Sequence, residues 1–397
     1  MTKKTDDTKV ESAGEYLAGR NIGFCVTGGI AAIETPKIAR MLRRYGANVR
    51  AYMTPAAQEF VGKAALEWGT ENAVVDRLSG LAEHLCREDA VLVCPATLDT
   101  IDKVMAGIAD NPVTTLVASA LGMRKPIFLA PTMHDSLYEN PILQKKLAEA
   151  VSYGVSIIEP RHSEGKRKIP HLETIVARVS HELSSDPIRG KKVLVTAGPT
   201  PVRIDAVRRI TNVFKGTLGV EIAKEAYLRG ADVTLLLGDT ALPVPEYIRV
   251  RWHADYDSYV ANVFDELSRG YDVGIFSAAV ADYRPVNVVD GKIPSGGALQ
   301  EIKLAPTAKV IKRVREEHPS LFMATFKLEC NKTQEELIGI ARDRVAQGYD
   351  LVVANRLSDM ATGHTAFIVD DSGVIGEPLT KREIACGLVS VIGKRLS

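Results

Sequence analysis

The chain has 397 residues, of which 46% are hydrophobic and 25% are charged, and its formal net charge is +1. These values are ordinary for a globular protein of two domains, and the near-zero charge argues against a nucleic-acid-binding surface spread over the whole molecule. The five cysteines are scattered and no apolar run reaches the ~20 residues of a membrane-spanning helix, so we expect reduced thiols, no membrane partner and a cytoplasmic location.

The first half alternates apolar strands with helical patterns. Strands are predicted at 22–26, 48–53, 90–94, 126–130 and 155–158. Helices are predicted between them, for example at 36–45 and 140–152. This alternation predicts a parallel sheet with helices on both faces, and a continuous apolar strand such as "AVLVCP" suits a sheet that is covered on both sides.

A break in this pattern marks the domain boundary. The stretch "SSDPIRGKK" combines proline, glycine and charge, and we expect a first domain of residues 1–186 and a second of 187–397. The second half then repeats the alternation, with strands predicted at 192–200, 232–237, 272–277 and 351–354 and a helix at 219–229. The predicted fold class is therefore α/β, with two Rossmann-like domains.

Polar loops follow four strands of the first half, where ligands of open α/β sheets bind. Gly28 and Gly29 come directly after the first strand and lead into a helix, so their backbone N–H groups can face a phosphate. A Gly-Gly turn alone is more often structural, but the convergence of four loops favours a ligand site. The hydroxyl and carboxylate groups that accompany it are Thr54, Thr97, Asp99, Thr100 and Thr114.

Five motifs of this half, "VTGGIAA", "MTPAAQEFV", "PATLDTI", "GIADN" and "PTMHDSLYENP", resemble the FMN-dependent cysteine decarboxylases, most of all the phosphopantothenoylcysteine decarboxylases. The resemblance covers residues 20 to about 160 and implies a flavodoxin-like flavoprotein domain. A mononucleotide has one phosphate, so the longer GxGxxG turn is not needed. The resemblance implies that FMN is held by Gly28, Gly29, Thr54, Thr97, Thr100 and Thr114, and substrate by Asp99, Met133 and His134.

Three departures from the decarboxylase pattern affect the chemistry. Asp99 and His134 replace asparagines of the family, and an ionised aspartate only accepts hydrogen bonds. In the family, the catalytic histidine precedes the strand aspartate by more residues than His84 precedes Asp89, and the difference is almost one helical turn. His84 is therefore either the catalytic base or a histidine on a helix surface. The stretch at 159–170, "EPRHSEGKRKIP", lacks the family's flap cysteine, which leaves the proton donor unassigned; it is either a basic clamp for a phosphate or a solvated loop.

Polar residues also follow the strands of the second half, and their clustering predicts a nucleotide site at the strand ends. The candidates are Gly198, Thr200, Asp282, Arg284, Lys292, Phe326, Lys327 and Asn355.

Four stretches of this half, at 197–219, 277–285, 292–295 and 353–358, resemble the phosphopantothenate–cysteine ligases, and "AVADYRP" is the most specific of their motifs. The resemblance extends from about residue 190 to the end and implies a doubly wound ligase domain. By that resemblance 4′-phosphopantothenate receives CMP from CTP with Mg²⁺ as cofactor, and the amine of cysteine then attacks. Asn212 would hold the acyl-cytidylate and Lys292 would serve the second step. Substrate and nucleotide would be bound by Gly198, Asp282, Phe326, Lys327 and Asn355.

Departures in this half concern the nucleotide. Lys215 in "VFKGTLG" is shifted from the family's lysine, and "FKLE" resembles the eukaryotic ligases, some of which use ATP. We therefore expect CTP, with ATP as the alternative. The departures in both halves suggest a divergent or archaeal-type member of the family.

The order of the two halves matches a known fusion in which both enzymes act on one chain. We expect a bifunctional enzyme of coenzyme A biosynthesis that uses small-molecule substrates and, by resemblance, forms a homo-oligomer. The alternative is a ligase whose FMN-binding half has lost turnover and serves assembly or regulation. A nicotinamide-dependent oxidoreductase is disfavoured because there is no GxGxxG.

Overall fold

The computed structural model describes residues 6–294, 296, 301–360, 365–378 and 380–396. The chain divides into two compact units, Met1–Ser184 and Ser185–Ser397, and each contains its own β-sheet. Within the described ranges, no helix is both long enough and apolar enough to cross a membrane.

The first unit is built on a five-stranded parallel sheet in the order β2-β1-β3-β4-β6. Its strands are β1 Asn21–Val26, β2 Asn48–Met53, β3 Ala90–Ala96, β4 Ile127–Pro131 and β6 Ser156–Ile157. A separate antiparallel sheet contains β5 Met133–His134, β7 Arg161–Ser163 and β8 Lys166–Lys168. The helices are α1 Thr35–Arg44, α2 Lys63–Thr70, α3 Leu98–Met105, α4 Pro112–Gly122, α5 Asp135–Tyr138, α6 Pro141–Ser152 and α7 Leu172–Leu183.

All five predicted strands of this unit are confirmed, as is their parallel pairing. Every residue of β3 is buried, as expected for a central strand that is covered on both faces. On one face α1 buries Ile38 and Leu42, and burial of each such side chain contributes about 2 kcal/mol. The strand order is that of flavodoxin-like folds and reverses between β1 and β3, which defines the switch point where ligands bind.

The second unit has an eight-stranded sheet in the order β13-β12-β9-β14-β17-β18-β19-β20. The strands of the main sheet are β9 Lys192–Ala197, β12 Asp232–Gly238, β13 Arg249–His253, β14 Val273–Phe276, β17 Phe322–Glu329, β18 Leu351–Arg356, β19 Ala366–Asp370 and β20 Gly373–Gly376. Two small antiparallel pairs are β10 Val202–Arg203 with β11 Arg209–Ile210, and β15 Tyr283–Pro285 with β16 Leu304–Pro306. The helices are α8 Thr217–Leu228, α9 Tyr256–Leu267, α10 Val310–Glu317, α11 Gln334–Ala346 and α12 Lys381–Arg395.

The first six strands of this sheet are parallel and follow the Rossmann order, with the switch point between β9 and β14. The prediction of a purely parallel sheet is wrong at its edge, because β19 and β20 are antiparallel. Only residues 357–365 connect β18 to β19, and a parallel crossover needs about a dozen or more. The four strands predicted from the sequence are all present, while β13, β17, β19 and β20 of the main sheet were not predicted as strands.

Candidate active sites

Thr27 connects two loops at the switch point of the first unit. It follows β1 directly and is buried. Its hydroxyl donates a hydrogen bond to the carbonyl oxygen of Pro95 at 2.7 Å and accepts one from the N–H of Thr97 at 3.2 Å. These two bonds hold the end of β1 against the end of β3, so the loops that follow both strands share one edge of the sheet.

Gly28 and Gly29 form a turn that leads into a short 3-10 helix, Ile30–Glu34. A Cβ on Gly28 would lie 2.5 Å from that of Ala56, so only glycine fits there. A Cβ on Gly29 would meet only the methyl group of Thr97, at 3.7 Å. The turn therefore has uncovered backbone at Gly29, next to the start of a helical segment, which is the arrangement that suits a phosphate.

Three predicted threonines lie at the same edge. Thr54 begins the 3-10 helix Pro55–Glu59, and its hydroxyl accepts a hydrogen bond from the N–H of Ala57 at 3.2 Å. Thr97 precedes α3, and its hydroxyl lies 3.1 Å from that of Thr100. The structure thus brings Thr54, Thr97 and Thr100 to the edge that also carries Gly28 and Gly29.

Asp99 is exposed in the first turn of α3 and faces a cation. The ammonium of Lys103, one turn later, lies 3.3 Å from Asp99 and 3.1 Å from Asp110. Hydrogen bonding to Asp110, and then to Asp99, raises the pKa of Lys103. The Asp99 carboxylate is therefore paired within the chain.

The hydroxyl of Thr114 makes hydrogen bonds within the chain. It is buried, and its hydroxyl accepts hydrogen bonds from the N–H groups of Asp110 and Asn111 at 3.1 and 3.2 Å. It forms a capping box with Asn111 at the start of α4. These contacts account for the hydroxyl without a ligand, so binding of FMN by Thr114 stays a prediction.

Met133 and His134 form β5 and pair with the basic hairpin of β7 and β8. Met133 lies opposite Arg167, and His134 lies opposite Lys166. The Nδ1 atom of His134 accepts a hydrogen bond from the N–H of Ser136 at 3.2 Å, which leaves Nε2 as the protonated nitrogen of the neutral ring. The stretch at 159–170 is thus a hairpin docked on the predicted substrate loop.

His84 lies in a turn, so the helical geometry assumed for it is wrong. It is exposed, and two residues later the N–H of Cys86 donates to Ser119 near the end of α4, at 3.0 Å. Asp89 accepts a hydrogen bond from the N–H of Asn21, at the amino edge of the sheet. Within the described residues, no hydrogen bond or ion pair joins His84 to the loops at the carboxyl edge, and its catalytic role stays a prediction.

Three cysteines of this unit are buried and belong to the core. Burial raises the pKa of Cys94 to about 12, and burial together with Glu88 raises that of Cys86 to about 11. Cys25 is fully buried as well. None of the three is a low-pKa thiol of the kind that acts as an acid or nucleophile near neutral pH.

A stack of glycines shapes the switch point of the second unit. Gly216 adopts the left-handed conformation, with φ of 94°, directly before α8. A Cβ there would lie 2.5 Å from the backbone nitrogen of Gly198, and one on Gly219 would lie 2.4 Å from the Cβ of Ala197. A Cβ on Gly238 would lie 2.2 Å from the carbonyl oxygen of Pro199. Glycine at these positions lets the amino end of α8 approach the end of β9, which favours anion binding there.

A cavity of about 460 Å³ opens at this switch point. Five of the predicted residues belong to its wall, namely Asn212, Asp282, Phe326, Lys327 and Asn355. Gly198 lies beneath Gly216, which is itself part of the wall. The structure therefore brings together six residues that are far apart in the sequence.

Hydrogen bonds and ion pairs fix several of these groups. The Nδ2 atom of Asn212 donates to the carbonyl oxygen of Ala279 at 2.8 Å. Asp282 pairs with Lys309 at 2.5 Å, and Lys327 pairs with Glu329 at 2.7 Å. Asn212 is thus held against the loop that follows β14.

Lys292 lies outside the cavity wall, in an exposed stretch between β15 and β16. Ser295, the last residue of its predicted motif, lies outside the described residues. Lys292 is therefore not brought into contact with the other predicted ligase residues in this structure.

Cations of the cavity wall were missed by the sequence analysis. Lys381 begins α12, and Arg344 on α11 donates to the carbonyl oxygen of Phe326 at 2.9 Å. Burial lowers the pKa of Arg344, but a guanidinium stays charged. Thr325 is buried with no hydrogen-bond partner for its hydroxyl among the described residues. These residues come from late helices and an unpredicted strand, so only the fold places them here.

The arrangement suits a nucleoside phosphate. The amino end of α8 and the positive groups Lys215, Lys309, Lys327, Arg344 and Lys381 surround the cavity, and Asp282 is the one acidic side chain of its wall among the residues that the structure describes. Among the described residues, no group of three or more histidine, cysteine or acidic side chains is placed to hold a metal ion. A divalent cation that enters with a nucleotide is commonly held by phosphate oxygens, water and one or two carboxylates.

Comparison with known proteins covers both units. Residues 11–184 match the family model described as Flavoprotein, and residues 188–395 match that of the DNA/pantothenate metabolism flavoprotein C-terminal domain. The chain is 40% identical to the coenzyme A biosynthesis bifunctional protein CoaBC of Thermococcus kodakarensis, over 96% of each chain. It is 34% identical to the same-named protein of Methanocaldococcus jannaschii, covering 87% of this chain and 85% of that one. It is 30% identical to that of Bacillus subtilis, covering 88% and 89%.

Proposed function

The chain belongs to the family of bifunctional coenzyme A biosynthesis proteins, and from this premise we propose the residues and cofactors with which its two domains work. It is a bifunctional enzyme with phosphopantothenate–cysteine ligase and phosphopantothenoylcysteine decarboxylase activities. The ligase reaction makes the substrate of the decarboxylase. As the functional boundary between the two domains we propose residues 186 and 187.

The N-terminal domain is a flavoprotein, and we assign its flavin as FMN. The turn at Gly28 and Gly29 offers uncovered backbone for one phosphate and no extended glycine-rich loop for a second. Thr54, Thr97 and Thr100 would surround the ring system. When bound, FMN supplies the oxidation that permits loss of CO₂ and the reduction that follows it.

His134 would take over the role of the family's asparagine at the substrate carboxylate. Because Nδ1 accepts the hydrogen bond from Ser136, Nε2 carries the proton and can donate it in a hydrogen bond to a carboxylate oxygen. Asp99 cannot donate and is paired with Lys103. His84 is proposed as the base, by resemblance, and Met133 as an apolar contact of the substrate.

The C-terminal domain would activate 4′-phosphopantothenate with CTP. The substrate carboxylate attacks the α-phosphorus of CTP and releases pyrophosphate, which gives an acyl-cytidylate. The amine of cysteine then attacks the acyl carbon, the bond to CMP breaks, and the amine loses a proton. Cationic groups around the cavity would offset the charge of the triphosphate, with Mg²⁺ held mainly by its oxygens.

Roles for the predicted ligase residues follow from their positions. Asn212, fixed by Ala279, would hold the acyl-cytidylate, and Asp282 would contact the nucleotide. Phe326, Lys327 and Asn355 line the same wall and would contact substrates. Lys292 lies outside this wall, and its role in the attack by cysteine is proposed from the family resemblance. The observation that carries the ligase assignment is the cavity at the β9/β14 switch point, where six predicted residues meet.

We further propose a cytoplasmic homo-oligomer that binds neither nucleic acid nor membrane. The five cysteines are all free thiols, as a reducing compartment favours. The oligomer is implied by the family alone. Size-exclusion chromatography with light scattering tests it, and a monomer at micromolar concentration would contradict it.

A domain-specific variant tests the two assignments separately. The purified chain should show a flavin absorbance spectrum, release CO₂ from 4′-phosphopantothenoylcysteine, and ligate cysteine in the presence of Mg²⁺ with CTP in preference to ATP. Gly28→Ala should lose flavin and CO₂ release but keep ligation, because the added Cβ disturbs only the first site. Flavin without CO₂ release in the unmodified chain would favour the ligase-only alternative, and faster ligation with ATP would overturn the nucleotide assignment.

A further inference from the structure

Asp205 is a buried carboxylate in the turn between β10 and β11, and it is only 1% exposed. Its Oδ1 atom accepts hydrogen bonds from the N–H groups of Val207 and Arg208, at 2.8 and 2.6 Å. Its Oδ2 atom accepts from Nη1 of Arg208 at 2.8 Å and from the N–H of Ile293 at 3.1 Å. Burial raises the pKa of Asp205, but these donors outweigh burial and lower it to about 2, so the carboxylate is ionised near neutral pH.

The bond to Ile293 reaches the stretch that carries Lys292. On the other side of Lys292, the carbonyl oxygen of Gly291 accepts a hydrogen bond from the N–H of Ala206 at 2.9 Å. The carbonyl oxygen of Ile293 also accepts from Nη1 of Arg208, at 3.3 Å. Both neighbours of Lys292 are therefore tied to the Asp205 turn, while the Lys292 side chain itself is exposed.

The same turn leads to Asn212. The strand β11 pairs with β10 and ends two residues before Asn212, whose side chain is fixed by Ala279. The ionised carboxylate of Asp205 thus organises a turn that continues to Asn212, and it also holds the backbone next to Lys292. Burying a charge is costly unless it is fully paired, so the pairing is expected to make this junction rigid.

We propose that Asp205 is a positioning residue of the ligation reaction, whose carboxylate holds the Lys292 segment at the Asn212 hairpin so that Lys292 can serve the attack by cysteine. The inference rests on the proposed role of Lys292 in the second step. It assigns Asp205 no contact with substrate.

Separate measurement of the two steps tests the proposal in the full-length protein. Asp205→Asn keeps the size of the side chain but removes its charge and one acceptor. In rapid-quench reactions with CTP and Mg²⁺, the burst of pyrophosphate should stay within threefold of the unmodified chain. Product formation after addition of cysteine should fall at least tenfold, so that acyl-cytidylate accumulates.

A double-mutant cycle tests whether Asp205 acts through Lys292. Lys292→Gln should slow the second step, and adding Asp205→Asn to it should slow that step by less than threefold more. Asp370→Asn is the matched control, because Asp370 is also a buried carboxylate of this unit that anchors a turn, by accepting from Ser372. It should lower thermal stability but leave both steps within threefold.

Contrary results are distinguishable. Equal slowing of both steps by Asp205→Asn, or a full tenfold loss from Asp205→Asn in the Lys292→Gln background, would overturn the positioning role. An unchanged second step in Lys292→Gln alone would overturn the proposed function of Lys292 itself. Should Asp205→Asn fail to fold, Ile293→Pro removes the N–H donor of the tether but also restricts the backbone at 292 and 293, so Ile293→Ala, which keeps that N–H, is its control. Ile293→Pro should reproduce the defect of the second step and Ile293→Ala should not, and normal ligation by Ile293→Pro would overturn the proposal.

Discussion

Acid should destabilise the second unit through His253, the last residue of β13. His253 is 2% exposed, packs its ring 5.1 Å from that of Tyr259, and has no hydrogen bond of normal geometry at either ring nitrogen among the described residues. Burial lowers its pKa from 6.5 to about 4, although nearby backbone groups of Ala197 and Asp255 partly oppose the shift. The imidazole ring of His253 is therefore neutral in the folded unit near neutral pH.

The sign and size of the effect follow from that pKa. Between pH 6.5 and pH 4 the unfolded chain binds a proton at His253 that the folded chain does not, so stability is complete above pH 6.5 and is lost as the pH falls. Lowering the pH from 7.5 to 5 should cost roughly 2 kcal/mol of unfolding free energy from this residue alone.

Tryptophan fluorescence can follow this unit by itself. The chain has two tryptophans, Trp68 and Trp252, so Trp68→Phe leaves only Trp252, next to His253. Urea unfolding at pH 7.5 and pH 5 is then compared for this background with and without His253→Leu. The background should lose roughly 2 kcal/mol more than the His253→Leu protein, since other titrations cancel in the difference. Equal losses would refute the reasoning.

Three further predictions concern packing and the two sites. Gly238→Ala should destabilise the second unit by about 1–3 kcal/mol, because its Cβ would meet the carbonyl oxygen of Pro199 at 2.2 Å. Gly339→Ala, on an open helix face, should stabilise that unit by about 0.5–1 kcal/mol. Equal urea midpoints for the two variants would contradict this. Asn212→Asp should let acyl-cytidylate accumulate, as followed by chromatography of quenched reactions, and unchanged product formation would argue against its role. His84→Gln should abolish CO₂ release while the flavin spectrum persists, and retained turnover would place the base elsewhere.

The central strands other than β17 could be predicted because they are apolar throughout and buried on both faces, as β3 shows. The strand β17 was missed because it carries charged residues and is only partly buried from Phe326 onward. The edge strand β13 was missed because its sequence, "RVRWH", lacks a continuous apolar run and is only partly buried. The strands β19 and β20 pair antiparallel because the connections between them and β18 are short. Such short connections have no strong periodic pattern in the sequence from which the pairing could be predicted.

The candidate sites were predictable where a residue lies in the loop that follows a strand. Gly28, Gly198 and Asp282 are of this kind, because the carboxyl ends of parallel strands share one edge. Arg344 and Lys381 were not predictable, since they lie on helices whose place in the cavity wall is set by tertiary packing.

His84 and Asp205 show two other limits. The position of His84 was judged by helical geometry, but the segment is a turn. Asp205 stands in the ligase-like stretch at 197–219, yet its bond to Ile293 joins residues 88 apart in the sequence. The signal available in the sequence was an aspartate three residues before an arginine, Arg208.

Carboxyl-labelled cysteine tests the central claim in one measurement, because its label is released only after ligation and decarboxylation have both occurred. The purified chain, supplied with FMN, Mg²⁺, CTP, 4′-phosphopantothenate and this cysteine, should release labelled CO₂ in step with formation of 4′-phosphopantetheine. Accumulation of labelled 4′-phosphopantothenoylcysteine without labelled CO₂ would contradict the account of the N-terminal domain, and no incorporation of cysteine would contradict that of the C-terminal domain.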